Sequence, residues 1–150
     1  MISKKHIAFI LGFSIFLNAN AATCSVTNDG LNFGEYNPLN LTDTTSTFNV
    51  QISCSGLVGN VNYDIKLNAG NSGNISLRKL TNGANQLSYN IYTDAAHTTI
   101  WGDGFTGNAV TGTATAPADT KNHTGYSIIP QSQGIAPGVY TDNITITLTY

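Results

Sequence analysis

The stretch that decides the fold lies at the carboxyl end and reads Val139-Tyr140-Thr141-Asp142-Asn143-Ile144-Thr145-Ile146-Thr147-Leu148-Thr149-Tyr150. From Tyr140 onward every even position except Asp142 is large and apolar, and every odd position is Thr or Asn. This alternation predicts a β-strand that buries one face, and the β-branched residues favour the same structure. Since the sequence stops at Tyr150, no later segment would cover the free edge, and a long apolar edge is a pairing site unless it is blocked. We therefore expect a strand from another protein to complete the sheet.

The same short alternating pattern recurs along the chain. Alternating runs predict strands at residues 24–26, 48–54, 61–67, 75–80, 87–93, 109–115 and 126–129, whereas the polar run 42–47 reads as a loop. Residues 101–104 predict a turn or bulge, and Asn82-Gly83 is typical of a tight turn. Many short strands separated by Gly and Asn turns predict an all-β fold, an antiparallel β-sandwich. A closed barrel is the alternative, and it requires the last strand to pair within the chain.

The first 21 residues read as an export signal. Lys4 and Lys5 give a positive start, residues 7–17 are largely apolar, and Ala19-Asn20-Ala21 fits a cleavage site. The apolar run is shorter than the roughly 20 residues that span a bilayer, which argues against the alternative of a retained membrane anchor. We expect a signal peptide at residues 1–21, cleaved after Ala21 or Ala22, and one domain at residues 22–150.

The charge of the mature chain argues against nucleic acid as a partner. Removal of residues 1–21 leaves four basic against eight acidic residues, a net charge of −4. No basic patch is present to neutralise phosphates. Charged residues make up 9% of the chain, against roughly 25% in ordinary soluble domains, and such a surface suits an exported protein.

The two cysteines, Cys24 and Cys54, both belong to the mature chain. Export places them in an oxidising compartment, and an even count without a CxxC or Cys/His cluster favours a structural disulfide over a metal site. Two free thiols are the alternative. A loop of about 30 residues closed in this way should stabilise the fold by roughly 3–4 kcal/mol.

Nothing in the sequence predicts catalysis, a cofactor or a metal site. His97 and His123 lie in polar segments without a Gly-x-Ser-x-Gly elbow or a comparable context. Asp103 stands between two glycines but lacks the further oxygen ligands of a calcium loop, so a turn-forming role is favoured. Trp101 and Phe105 bracket this turn. They form either an adhesive loop of exposed aromatic residues or part of the core, and the core interpretation is favoured because aromatic side chains are mostly buried.

Several motifs taken together resemble one family, the spore coat protein U domain family, which includes the pilins of archaic chaperone–usher pili. The matching residues run in order through nearly the whole mature chain: Cys24, Phe33-Gly34-Glu35-Tyr36-Asn37-Pro38, Ile52-Ser53-Cys54-Ser55, Arg78, Leu87-Ser88-Tyr89-Asn90-Ile91-Tyr92, Trp101-Gly102-Asp103-Gly104, Pro130-Gln131-Ser132-Gln133 and Gly138-Val139-Tyr140-Thr141-Asp142.

The resemblance implies an immunoglobulin-like sandwich that lacks one strand. It implies that a periplasmic chaperone supplies the strand first, that an outer-membrane usher assembles the fibre, and that a neighbouring pilin subunit then donates the strand. The acceptor groove would include Tyr140, Ile144, Ile146, Leu148 and Tyr150, with the Tyr150 carboxylate as an anchor for the chaperone. The implied function is structural and non-catalytic, in a fimbrium at the cell surface, with a role in adhesion or biofilm formation.

The short segment ahead of Cys24 is a departure from that family pattern. After cleavage only Ala22 and Thr23 would precede Cys24, too few to span a groove at about 3.3 Å per residue. The subunit would then accept a strand without donating one, which predicts a tip, minor or terminating subunit. Two alternatives remain at this stage: a stand-alone secreted coat protein of the same fold, and a small carbohydrate-binding module that presents exposed aromatic residues.

Overall fold

The computed structural model describes residues 21–150, so the predicted signal peptide lies outside the described residues except for Ala21. Alternating residues in this range form nine antiparallel strands. They are β1 (Thr23–Asn28), β2 (Thr44–Ser55), β3 (Val61–Leu67), β4 (Lys79–Asn82), β5 (Asn85–Ser88), β6 (Asn90–Tyr92), β7 (Val110–Ala114), β8 (Ala118–Ile129) and β9 (Ile146–Thr149). Two single-turn 3-10 helices, Gly70–Ser72 and Ile75–Leu77, are the helical elements of this range.

Two sheets pack face to face and form a β-sandwich of the immunoglobulin-like kind. One sheet has the strand order β1-β2-β8-β6 and the other β7-β3-β9, while β4 and β5 form a separate hairpin. Period-two alternation places the apolar side chains of β2 and β3 between the sheets, where they are almost fully buried: Phe48, Val50, Ile52, Cys54, Tyr63, Ile65 and Leu67. The all-β prediction is confirmed.

The strand boundaries differ from the predicted ones at several places. The predicted loop 42–47 is wrong from Thr44 onward, because β2 begins at Thr44 and pairs with β8 along its whole length. The predicted strand 75–80 is instead a 3-10 turn followed by β4, and the predicted strand 87–93 is divided between β5 and β6. β8 begins at Ala118 rather than near Tyr126, so polar residues form its first half.

The hairpin between β4 and β5 has a two-residue turn, Gly83-Ala84. Asn82 pairs with Asn85 across it, and Gly83 has a φ of 59°, a left-handed conformation that glycine adopts without strain. The Asn82-Gly83 dipeptide therefore marks a true two-residue hairpin.

A disulfide joins Cys24 and Cys54. The two residues stand directly opposite each other in the register of β1 and β2. The bond therefore ties an edge strand to a central strand of the same sheet.

Arg78 is fully buried, beside the backbone of Trp101. Its Nε and Nη2 donate to the Asn68 carbonyl at 3.1 and 2.7 Å, Nη2 also donates to the Trp101 carbonyl at 2.9 Å, and Nη1 donates to Asn90 Oδ1 at 2.9 Å. Burial lowers the pKa of the guanidinium, while the negative charges of nearby groups act in the opposite direction. Arg78 thus links the loop after β3, strand β6 and the Trp101 segment.

Candidate functional site, an open groove at the edge of the sandwich

The core is incompletely covered where the outer strands β1 and β9 come together. Both are edge strands, since among the described strands β1 pairs only with β2 and β9 pairs only with β3. On β9, Ile146 and Leu148 face inward beside Leu67 and Ile65, yet they are half-buried whereas Leu67 and Ile65 are 1% and 0% exposed. Inward side chains on the edge strands therefore remain partly open to solvent.

Two adjoining cavities extend this opening beyond the ends of β1 and β9. The first, of about 690 Å³, lies between residues 31–38 and 135–140, with Leu80 and Leu87 of the hairpin and Ile129 of β8 also lining it. The second, of about 320 Å³, lies between residues 28–33 and 140–146, with Phe48 and Leu67 among its lining residues. Leu31, Phe33, Leu80 and Tyr140 line both cavities, so the two form one groove.

The carboxyl-terminal segment that forms one wall of the groove is held to the body at three places. Thr141 exchanges two backbone hydrogen bonds with Thr81 of β4, at 2.8 and 3.0 Å. Thr145 exchanges bonds with Asn68, and β9 then pairs with β3. The prediction of one continuous strand from Tyr140 to Tyr150 is wrong, because regular pairing with β3 is limited to Ile146–Thr149.

Asp142 accounts for part of that interruption. Its Oδ1 accepts hydrogen bonds from the Asn71 and Asn143 amides at 2.7 and 2.8 Å, and its Oδ2 accepts one from the Tyr89 hydroxyl at 2.7 Å. Burial, followed by this hydrogen bond to a carboxylate, raises the pKa of Tyr89 above its ordinary value. The backbone near Asp142 follows these side-chain contacts instead of a strand ladder.

Tyr89 connects the two walls of the groove. Its ring packs edge-on against Phe33, with 5.8 Å between ring centroids, while its hydroxyl reaches Asp142 on the opposite wall. Both walls therefore rest on one buried aromatic side chain, which fixes their separation.

Three of the five predicted groove residues line the groove, and two do not. Tyr140, Ile144 and Ile146 line the groove, Leu148 faces the core beside Ile65, and Tyr150 is 52% exposed and lines neither cavity. The other wall and the floor were not predicted from the sequence. Leu31 and Phe33 follow β1 without forming a strand, and Leu80, Leu87 and Tyr89 come from distant elements. The alternation of Leu31-Asn32-Phe33 is the one local signal that points to them.

The two aromatic residues of the predicted loop have opposite environments. Trp101 is fully buried, stacks on Phe48 with 6.0 Å between ring centroids, and donates from Nε1 to the Ile65 carbonyl at 2.9 Å. Trp101 cannot serve as an adhesive side chain. The core interpretation is wrong for Phe105, which is 97% exposed.

Hydrogen bonds within the turn explain the exposure of Phe105. Asp103 Oδ1 accepts from the Phe105 and Thr106 amides at 2.8 and 2.7 Å, which closes a tight turn and lowers the pKa of Asp103. This turn directs Phe105 away from the core.

The described part of the chain offers little for catalysis or metal binding. His123 Nε2 lies 2.8 Å from the Tyr63 hydroxyl, and the ring of His97 packs edge-on against Tyr92. Within residues 21–150 no group of three or more His, Cys, Asp or Glu side chains is arranged to hold a metal ion. The same range contains no helix of the length and hydropathy that a membrane span needs.

Comparison with known proteins agrees with this architecture. The sequence model of the Spore Coat Protein U domain matches residues 13–147. No curated protein matches the chain significantly. Among solved structures, the chain is similar to a chain of the CsuC–CsuE chaperone–tip adhesion subunit pre-assembly complex from archaic chaperone–usher Csu pili of Acinetobacter baumannii.

That likeness has a TM-score of 0.59 at 21% identity, and it covers 87% of this chain and 40% of the other. At this level of identity it shows a shared fold. The present chain spans less than half the length of the protein that it matches.

Proposed function

The chain belongs to the Spore Coat Protein U domain family, and from this premise we propose that it is a non-catalytic subunit of a chaperone–usher pilus whose groove accepts a strand from a partner. The family match covers most of the chain, and the shared fold is seen in a chaperone–subunit complex of such a pilus. The groove gives this assignment its mechanism.

One observation carries the proposal. Ile146 and Leu148 on β9 are half-buried, while their neighbours Leu67 and Ile65 on β3 are 1% and 0% exposed. An added strand would cover these side chains and pair with the free backbone of β9, as in other cases of β-strand addition. An alternating apolar strand fits, since period two directs every second side chain into the groove.

The order of partners follows from the chemistry of an open core. An exported chain with exposed apolar surface needs cover before assembly, which a periplasmic chaperone would provide. At an outer-membrane usher, a neighbouring subunit would then replace the chaperone strand with its own. In this scheme the protein passes through the periplasm and ends in a fimbrium at the cell surface.

The position in the fibre depends on signal cleavage. With cleavage after Ala21, Ala22 and Thr23 precede Cys24, and Thr23 already belongs to β1. Such a chain would accept a strand but have none to donate, as expected for a tip, minor or terminating subunit. The intact mass of the exported protein gives the cleavage point and tests this placement.

The experiment that tests the proposal is export of the full chain with and without a candidate chaperone from its own genome. We expect soluble protein only with the chaperone, in a one-to-one complex. A matched pair of β9 variants locates the contact. Ile146→Asp places a charge in the groove and should reduce the copurified complex by at least about tenfold, whereas Thr147→Asp, on the exposed face of the same strand, should leave it unchanged.

A contrary result would be a soluble monomer that unfolds cooperatively without any partner. That outcome would favour the stand-alone secreted coat protein of the same fold. Equal behaviour of the Ile146 and Thr147 variants would place the chaperone contact away from the groove.

A further inference from the structure

The charges around the groove are of one sign. Among the residues that line its two cavities, the ionisable acids are Glu35 and Asp142, and no Lys, Arg or His lines either cavity. Asp142 is engaged by three hydrogen bonds from Tyr89, Asn71 and Asn143. Glu35, by contrast, is exposed and makes no hydrogen bond within the described chain.

The basic side chains of residues 21–150 lie away from Glu35 or bind other groups. Arg78 is buried and donates to the carbonyls of Asn68 and Trp101. Lys79 donates to Gln86 at 2.9 Å, and Lys121 pairs with Asp119 at 3.2 Å. Lys66 lines a separate cavity together with Asp64 and Asp103. None of them neutralises Glu35 at the rim of the larger cavity.

The surroundings of Glu35 suit a long basic side chain. Leu31, Leu80 and Ile135 are partly exposed and line the same cavity as Glu35, so this cavity offers apolar surface as well as the carboxylate. Lys and Arg bury an aliphatic stem along such a surface while the charged head remains in water. An acidic or short polar side chain would gain neither contact.

Resting on the proposed function, we propose that the strand received by the groove carries a Lys or Arg residue at the end that lies against Glu35, and that this pair selects among alternating apolar strands. The apolar positions provide most of the affinity, and the charge pair fixes register and partner choice. The partner is thus an extended, apolar and basic-ended segment.

A strand linked to the chain tests this proposal. The carboxyl-terminal segment runs from the larger cavity at Tyr140 toward the end of β9 at Thr149. A strand joined after Tyr150 by a short turn would return antiparallel to β9, and after about ten to twelve residues, at about 3.3 Å per residue, its end would reach the larger cavity that Glu35 lines. Three linked strands differ only in the last position, which is Lys, Gln or Glu.

In the wild-type background we expect the unfolding equilibrium constant to be about two- to fivefold smaller for the Lys strand than for the Gln strand, and larger for the Glu strand, which is the range for an ion pair open to solvent. In Glu35→Gln the three strands should become equal, whereas Asp64→Asn, away from the groove, should preserve the order. High salt should reduce the differences.

Equal stability of the three strands in the wild-type background would overturn the charge selection, while any stabilisation over a scrambled linked strand would still uphold the groove. If no linked strand stabilises the protein more than the scrambled one, both the charge selection and the acceptor function are wrong.

Discussion

The guanidinium of Arg78 holds three separate segments together without a carboxylate partner. Its donors satisfy the carbonyls of Asn68 and Trp101 and the side chain of Asn90. Lysine carries a compact ammonium on a flexible stem and cannot reproduce this planar array of donors. The buried acceptors would then lose their partners, at the cost that unsatisfied polar groups carry in an apolar interior.

Arg78→Lys should therefore lower the free energy of unfolding by about 2–4 kcal/mol. Urea denaturation of the chaperone-free, strand-linked protein measures this loss. Lys79→Arg is a suitable control, because Lys79 is the next residue along the chain and its side chain reaches Gln86 at the surface. A loss below about 0.5 kcal/mol for Arg78→Lys would show that the carbonyls find other donors.

We expect His123 to make the stability dependent on pH. Burial lowers the pKa of His123, and its Nε2 lies 2.8 Å from the Tyr63 hydroxyl. The folded protein thus favours the neutral imidazole, so this stabilisation is complete above the unfolded pKa of about 6.5 and is lost as the pH falls through the lower folded pKa.

Urea midpoints taken from about pH 8 down to about pH 5 should fall with decreasing pH, and the slope should be smaller in His123→Gln. A pH profile that is identical in the variant would assign the dependence to other groups.

At the scale of the elements, strand β8 contains a glycine at a position where a side chain would not fit. Gly125 pairs with Phe48 on β2, and a methyl group at Gly125 would collide with the Phe48 ring. Phe48 in turn stacks on Trp101 and lines the groove. The absence of a side chain at Gly125 therefore sets the position of the ring at the groove floor.

Gly125→Ala should cost about 1–3 kcal/mol by overpacking and weaken strand acceptance, because Phe48 must move. Gly134→Ala is the control, since open space surrounds that position and its backbone is not left-handed. Thermal unfolding and copurification with the chaperone measure both effects. An unaltered complex in Gly125→Ala would show that the Phe48 position does not define the groove.

The same strand shows what the sequence can and cannot predict about elements. The last four residues of β8 are predicted from the sequence, because Tyr126, Ile128 and Ile129 give a strong strand signal. Its first half was missed, since positions opposite the apolar residues of β2 hold His123, Lys121 and Asp119. Hydrophobic periodicity detects burial and not backbone pairing, and here pairing with β2 alone extends the strand.

Only one of the two walls of the groove could be predicted from the sequence. The alternation of Ile144 and Ile146 indicated an uncovered apolar face, but the opposite wall comes from residues 28–38, which form no strand after Asn28. Its floor contains Tyr89, whose role depends on contacts with Phe33 and Asp142. Such long-range contacts leave no local pattern in the sequence.

At the scale of the whole molecule, the groove and the exposed Phe105 side chain lie in different regions. Phe105 is 97% exposed and lines the cavity with Lys66 and Asp64, outside the groove. An accepted strand would therefore leave Phe105 free to contact a surface, and we propose it as the adhesive side chain of the loop.

Phe105→Ala should reduce attachment of the assembled protein to an apolar surface, while its stability should change by less than about 0.5 kcal/mol. Attachment to polystyrene and urea denaturation provide the two readouts, and Thr106→Ala in the same turn is the control. Unchanged attachment would show that Phe105 does not mediate adhesion.

The Cys24–Cys54 disulfide has a mechanical consequence for a subunit in a fibre. A pulling force that enters through an accepted strand would load the edge strands lengthwise, and hydrogen bonds between two strands alone can slide or peel apart under such a load. β1 is covalently fixed to β2, and β2 pairs with β8 over twelve residues, from Thr44 to Ser55. Tension on β1 is thereby transmitted to the longest ladder among the described residues, so the β1 edge should resist extension more strongly than the β9 edge, where only four residues pair with β3.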